Sequence, residues 1–480
     1  MLSGCATNPA TKKMEFMIVS EEKEFKIGQG VDKQVREDMG VYLELPELRS
    51  FVKKMVDAIG RQSDRPELIY RLEIIDTPDF NAFAVPGGFV YVHRGLLERM
   101  NSSDELASVL GHEIAHVAVR HSAAQISKGQ LLNIGLIGLA VATQGAAQDF
   151  GQLINLGSAL AFNKFSRDDE READHFGTEY SVKAGYNPKA SIDVMKQIQK
   201  SHEREPSTFE VWFMTHPATS ERIANLTRDI NAIQKEKPEV LERPIKRNEW
   251  ITLLDGLAIG EWNGSELIKE DHYYNKEYLL SLEIPEGWLS QLNSKRYTSV
   301  FFHPQKKFFT YFNIEPLQPR KSTGDYYRDF ENHLNRAGLK KNKDVEPGRQ
   351  LPHGALAGVF TGHESRLGPI MAEAIVFTKD ANGYSLLCMC KKDDFTEFQP
   401  LAESIGINLK FISQEKAAKL EPARMRIHEV KAGETWKGIT SKYFGSSMGM
   451  NKLADYNGLK ISRDLSAGDF LKIPPTLHIR

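Results

Sequence analysis

Ser102-Ser-Asp-Glu-Leu-Ala-Ser-Val-Leu-Gly-His-Glu-Ile-Ala-His-Val117 is the stretch on which the reading of this chain turns. Ser102 with Glu105 three residues on is the signature of a capped helix start. Leu106, Val109, Leu110, Ile114 and Val117 recur at helical spacing and supply a buried stripe. On that helix His112 and His116 project from one face, because four residues cover about 400°. Two imidazoles so placed can reach one metal ion at about 2.0–2.1 Å. Glu113 lies beside the first histidine and near the open side of such an ion, where a carboxylate can take a proton from water the metal has acidified.

A second segment completes the pattern. Glu170-Arg171-Glu172-Ala173-Asp174 lies in a helical run from Arg167 to Lys183, which stops at Ala184-Gly185 with Pro188 beyond. Glu170 and Asp174 share a face at i and i+4, which suits a third ligand and a carboxylate that orients a ligand histidine. Glu172 is the alternative ligand if the register differs by half a turn. Ala173 and Gly177 are small enough for a close helix–helix approach. Upstream, Leu68–Ile75 reads as a strand. Asn81-Ala82-Phe83-Ala84-Val85, a Pro86-Gly87-Gly88 turn and Phe89–Val92 read as a hairpin. Asn81, Ala82, Phe83 and Ala84 are the expected substrate-binding residues, on an exposed edge strand to which an extended peptide adds.

These segments, together with Thr215-His216-Pro217, resemble metallopeptidase family 48, the HtpX- and BepA-like gluzincins, over about residues 20 to 230. The resemblance implies a mainly helical zincin-type peptidase domain with a small β-hairpin. It implies one Zn(2+) per chain on His112, His116 and Glu170, with Glu113 as catalytic base and Asp174 as the acid behind a ligand. His216 then either stabilises the oxyanion or takes the metal's fourth position and holds the enzyme latent. The plain alternative is that His216 caps the helix beginning near Ser220. His93 and His121 carry no functional signal in sequence.

The rest of the chain sets the context. At 480 residues it exceeds one core, so about three domains are expected. With 62 basic and 64 acidic residues there is no reason to expect a nucleic-acid partner. The longest apolar run, Leu131–Thr143, falls short of the roughly 20 residues of a membrane span and reads as a buried helix or loop. Cys388 and Cys390 sit two apart in an apolar run and read as core thiols. Cys5 ends Leu2-Ser3-Gly4-Cys5, which resembles a lipobox. A lipid on Cys5 would anchor the chain to a membrane on its periplasmic side, with Ala6 favouring the outer membrane.

The fold class expected is α+β multidomain, with a lipoprotein tether at 1–25 and a zinc metallopeptidase domain at 26–240. An α+β accessory domain follows at 246–413. Ile284-Pro-Glu-Gly-Trp288 after a strand there faintly resembles the start of a PsbP/Mog-like domain. Residues 424–476 resemble a LysM module (βααβ), from Val430-Lys-Ala-Gly-Glu-Thr-Trp436, Tyr456-Asn457-Gly458 and Leu471-Lys-Ile-Pro474. The resemblance implies binding of peptidoglycan glycan between residues 433–435 and 457–461. Arg424 to Arg480 holds ten Lys/Arg against five Asp/Glu, a net of about +5 that suits an acidic polymer. The function expected is a cell-envelope zinc endopeptidase acting on misfolded or stalled proteins. The competing readings are a peptidase of peptidoglycan cross-links and a chaperone-like scaffold with a latent metal site.

Overall fold

The computed structural model describes residues 5–128, 165–204, 216, 219–262 and, with short breaks, 264–477. Leu131–Thr143, Thr215 and Pro217 lie outside the described residues. The chain divides into two compact units, Met1–Ile259 with Arg424–Arg480, and Gly260–Ala423.

The first unit begins with a hairpin, β1 (Cys5–Thr7) and β2 (Met14–Phe16), where the sequence suggested a tether. Asn8 is buried and its amide donates to Val119 O at 2.8 Å, while Met17 and Val19 enter the core. Helix α1 (Glu21–Asp38) follows, capped by Ser20, and α2 (Pro46–Gly60) starts with Pro46 at its first turn. Val35 is buried, and the helix ends before Tyr42 and Leu43. Gly40 at φ +76° breaks it, Tyr42 is buried off the helix, and Leu43 is 69% exposed.

Strands β3 (Arg71–Ile75), β4 (Ala82–Val85) and β5 (Phe89–His93) form a three-stranded sheet in the order β3-β5-β4. β5 runs parallel to β3 and antiparallel to β4. The turn between β4 and β5 needs glycine: Gly88 has φ +87°, and a Cβ there would meet Ile69 O at 2.6 Å. Next come α3 (Arg94–Arg99), α4 (Ser103–Ala118), α5 (Arg167–Lys183), α6 (Lys189–Arg204) and α7 (Ser220–Glu236).

Ser102 caps α4 by accepting from Glu105 N at 3.1 Å. Glu105 reaches back to Asn101 N rather than to Ser102 N, so the box is one residue wider than expected. Helices α4 and α5 cross where two glycines face each other. A Cβ on Gly111 would lie 2.5 Å from Gly177 O, and one on Gly177 2.7 Å from Gly111 O. That backbone-to-backbone approach is what carries the α5 carboxylates to the α4 histidines.

Residues 426–473 have the expected strand–helix–helix–strand order: Arg426–Glu429, Trp436–Phe444, Met450–Tyr456 and Phe470–Ile473. The two strands pair antiparallel. This module belongs to the same compact unit as the α4 helix. Buried Lys472 donates to Glu98 O at 2.8 Å and Met100 O at 3.0 Å, and Tyr456 Oη donates to Glu98 Oε1 at 2.9 Å. Arg247 donates to both Asn101 O and Asn457 Oδ1 at 3.2 Å. The seat is therefore the loop that leads into the α4 cap. Two of the expected groove residues serve the fold itself: Asn457 donates inward to Leu453 O and Lys472 O, and Thr435 caps a helix. Lys472→Met removes a buried donor from two carbonyls and is expected to cost about 2–4 kcal/mol. Thermal unfolding of the whole chain should read this as a lower Tm, and an unchanged Tm would contradict the seat.

The second unit holds a seven-stranded antiparallel sheet in the order Leu289–Gln291, Thr298–His303, Phe308–Pro316, Asn382–Lys391, Gly368–Lys379, Leu356–Glu364, Lys340–Lys341. Helices Thr323–Arg336 and Phe395–Ile407 accompany it. Cys388 and Cys390 are both buried in its core, and burial pushes both thiols up to about 12. The boundaries differ from the sequence reading of 246–413. Trp250 and its neighbours pack with the first unit, with Trp250 Nε1 on Met100 O, and the segment after 413 forms a helix, Gln414–Ala418, in the second. Among the described residues no helix is long and apolar enough to cross a membrane.

Candidate metal centre

Four side chains from three separate stretches converge: His112 and His116 from α4, Glu170 from the first turn of α5, and His216 just ahead of α7. One potential ligand atom from each lies within 4.8 Å of all the others, and all four residues are buried. His112 Nε2 is 3.1 Å from His116 Nε2 and 3.2 Å from His216 Nδ1. Glu170 Oε1 is 2.7 Å from His216 Nδ1 and 3.6 Å from His116 Nε2. Nitrogen and oxygen ligands at 2.0–2.1 Å in a tetrahedron would be separated by roughly 3.3 Å, so the spacing is that of a four-coordinate cation.

Proton placement makes the same point. Asp174 Oδ1 lies 3.0 Å from His112 Nδ1 and fixes the proton there. His112 Nε2 is then the unprotonated nitrogen and turns its lone pair into the cluster, toward His116 Nε2 and His216 Nδ1, as a metal ligand must. The donor set of imidazoles and one carboxylate suits zinc.

Asp174 is itself held by Arg222, whose Nε and Nη2 donate to its two oxygens at 2.8 and 2.7 Å. Arg222 Nη1 also lies 2.8 Å from Glu170 Oε2, so one guanidinium braces both Glu170 and Asp174, the residue behind His112. Burial pushes the Asp174 carboxyl up, but Arg222 and the hydrogen bonds from Arg222 and His112 outweigh it and hold the group well below the usual range. Glu170 is likewise lowered: burial works against ionisation, and His216 and Arg222 overcome it. Burial would lower His216, yet Glu170 and Glu113 hold it above the ordinary value.

Glu113 stands beside the cluster. Its Oε1 is buried, 3.7 Å from His216 Nε2, and has no hydrogen-bond partner among the described residues. Burial pushes its carboxyl up, with His216 and His112 opposing. The Phe165 ring stacks on His116 at 4.0 Å between centroids and also lies against His216 at 5.8 Å. It gives the centre an apolar wall, within which electrostatic interactions are stronger than in water.

Other expected site residues fall differently. β4 is an edge strand of its sheet, but Asn81, Ala82, Phe83 and Ala84 are buried rather than exposed. Phe83 stacks on Tyr91 at 4.7 Å and belongs to the hydrophobic core formed with Val31 and Val35 of α1 and with Ala123 and Ile126, so that side chain is not offered to a ligand. Asn81 keeps both amide atoms buried without a hydrogen-bond partner among the described residues. Glu172, the alternative ligand, points away from the cluster toward His121. His216 does not cap α7: Thr219 does, accepting from Arg222 N at 3.2 Å. Cys5 is exposed at the start of β1. The sequence reading missed Arg222. Its one cue was position, a basic residue in the first turn of the helix that follows His216.

Comparison with known proteins agrees with this geometry. The profile of Peptidase family M48 matches residues 43–230, and that of the LysM domain matches residues 428–474. The chain is 29% identical over 221 residues to the mitochondrial metalloendopeptidase OMA1 of Schizosaccharomyces pombe, covering 45% of this chain and 64% of that protein. It is 29% identical over 183 residues to the metalloprotease LoiP of Escherichia coli, covering 37% of this chain and 69% of LoiP. It is 24% identical over 225 residues to the beta-barrel assembly-enhancing protease of Yersinia pestis, covering 45% of this chain and 46% of that protein. The chain thus spans less than two thirds of the first and third of these relatives. With the profile lying over both helices that carry the converging side chains, residues 43–230 match a peptidase domain of family M48 and residues 428–474 match a LysM domain.

Proposed function

We propose that this protein is a zinc-dependent endopeptidase of the bacterial cell envelope, with His112, His116 and Glu170 as ligands and Glu113 as general base. The observation that carries the reading is the convergence of those three ligand side chains beside a buried, hydrogen-bond-free Glu113 oxygen. The match to family M48 implies a metal, and the donor set favours zinc. When bound, zinc supplies Lewis acidity, lowering the pKa of water toward 7 and polarising a carbonyl. Glu113 accepts the proton of the attacking water and passes it to the leaving amine, and its upward-shifted carboxyl suits a base that must also become an acid. Asp174 keeps the proton on His112 Nδ1, so that Nε2 remains a donor to the ion. Arg222 keeps Asp174 and Glu170 ionised.

His216 is the latch in this reading. Its Nδ1 occupies the fourth corner of the set, which is where water or substrate must enter a catalytic site. Its withdrawal opens the site. His216→Ala is therefore expected to raise casein turnover while zinc stays bound, by up to roughly tenfold for a site closed nine-tenths of the time. A fall of about 100-fold would assign His216 to the oxyanion instead. Unchanged turnover would count against both roles.

Substrates are proteins or peptides, most simply misfolded or stalled envelope proteins, aligned along the β4 edge. The LysM domain supports attachment to peptidoglycan, and a lipid on Cys5 supports placement on the periplasmic face of the outer membrane. The closed four-residue set favours one second reading, a chaperone-like scaffold with a latent site. Comparing wild type with Glu113→Gln on casein and on purified sacculi separates these. Casein cleavage lost in the variant supports the protease, Glu113-dependent release of muropeptides points to a cross-link peptidase, and no Glu113-dependent turnover leaves the scaffold.

A further inference from the structure

His116 has a brace of its own, and it is not a carboxylate. With Nε2 turned to the centre of the cluster, His116 must carry its proton on Nδ1 to act as a ligand. The atom facing that proton is His121 Nδ1 at 2.9 Å. His121 then accepts on Nδ1 and bears its own proton on Nε2, which faces Glu172 Oε2 at 3.4 Å. His121 is buried, whereas Glu172 is partly exposed, with Lys13 Nζ 3.9 Å from its other oxygen. The rings of His116 and His121 meet edge-on at 4.9 Å, with Phe165 packed beside both.

This arrangement exists because α4 stops at Ala118. Val119 ends the helix, Arg120 takes a left-handed φ of +64°, and helical backbone resumes at 121. On an unbroken helix the fifth residue on would point about 140° away from His116. The break turns it back. Arg120 is locked in that conformation by donating to Glu24 Oε1 at 2.8 Å and Val19 O at 2.7 Å.

We propose that His121 and Glu172 are positioning residues for the metal, forming a chain His116–His121–Glu172 that fixes the tautomer and ring plane of His116 as Asp174 does directly for His112. The proposal rests on the zinc-site reading above. It gives the two ligand histidines unequal supports. One ends on a buried carboxylate clamped by Arg222, the other on a partly exposed carboxylate near the N-terminal hairpin.

The test is zinc affinity, measured on the full-length protein by competition with a chromophoric chelator, alongside the Tm of the metal-free forms. His121→Phe keeps the ring volume and removes both nitrogens, and is expected to weaken zinc binding about 10–100-fold. His121→Gln, which can still accept from His116, should recover most of that loss. Glu172→Ala, at a partly exposed position, should weaken binding by less than His121→Phe with the metal-free Tm unchanged. His121→Phe within about threefold of wild type would overturn the proposal. So would equal losses in His121→Phe and His121→Gln accompanied by equal drops in metal-free Tm, since that is the mark of a packing role. A wild type that takes up no zinc would instead refute the metal-site reading itself.

Discussion

Glu113→Gln is expected to lower casein turnover by about 10²- to 10⁴-fold while zinc content stays at one per chain. The substitution keeps the size of the side chain and removes its capacity to hold a proton. Glu113 is 3.7 Å from His216 and is not one of the four converging residues, so its loss should leave the ligand atoms where they are. Its buried Oε1 has no hydrogen bond to give up, so little stability is at stake. Turnover and metal content should therefore separate cleanly. A variant that loses both has lost its site, whereas one that keeps both has its base elsewhere.

Arg222→Leu should produce the largest loss of stability. The guanidinium is buried and neutralises two buried carboxylates, Asp174 at 2.7 and 2.8 Å and Glu170 at 2.8 Å. Removing one partner of a buried ionic cluster leaves uncompensated charge and costs about 3–5 kcal/mol. For a unit of this size that is a Tm lower by roughly 10 °C, measured on the metal-free protein. The pH dependence follows from Asp174. Its folded pKa lies below the unfolded value, so the pairing contributes its full stability above the unfolded pKa near 3.8 and loses it as pH falls from there through the lower folded pKa. The gap between wild type and Arg222→Leu should thus be full at neutral pH and narrow only below about pH 4. Zinc affinity should fall as well, because His112 loses a firmly ionised partner.

What could be read from the sequence was local. His112 and His116 share a face of one helix, and Glu170 and Asp174 share a face of another, so periodicity alone pairs them. The Ala173–Gly177 face also predicted a close crossing, and the structure supplies Gly111 as its partner. Arg222 was invisible because a single arginine on an amphipathic helix is indistinguishable from a solvated one until the helix is docked. His121 was hidden because a residue five on from His116 points away from it on an unbroken helix, and only the left-handed Arg120 turns it back. The buried state of Phe83 was missed because an edge position in a sheet says nothing of what packs over its face.

In the second unit, the strand Leu356–Glu364 carries two glycines and the helix Phe395–Ile407 contains Pro400, and each residue type masks its element's usual signal. Domain limits drawn from composition misplaced Trp250, since a change in residue texture is not a change in contacts. The docking of the LysM domain through Lys472 had no cue at all: a lysine in a strand reads as exposed until its ammonium is found on two carbonyls.

The most direct test of the account is to strip the wild type and Glu113→Gln of metal with a chelator and titrate zinc back while following casein cleavage. The account predicts that one equivalent of zinc per chain restores cleavage to the wild type and that the variant binds the same equivalent without recovering activity. Cleavage that survives stripping, or that returns equally in both proteins, would contradict it.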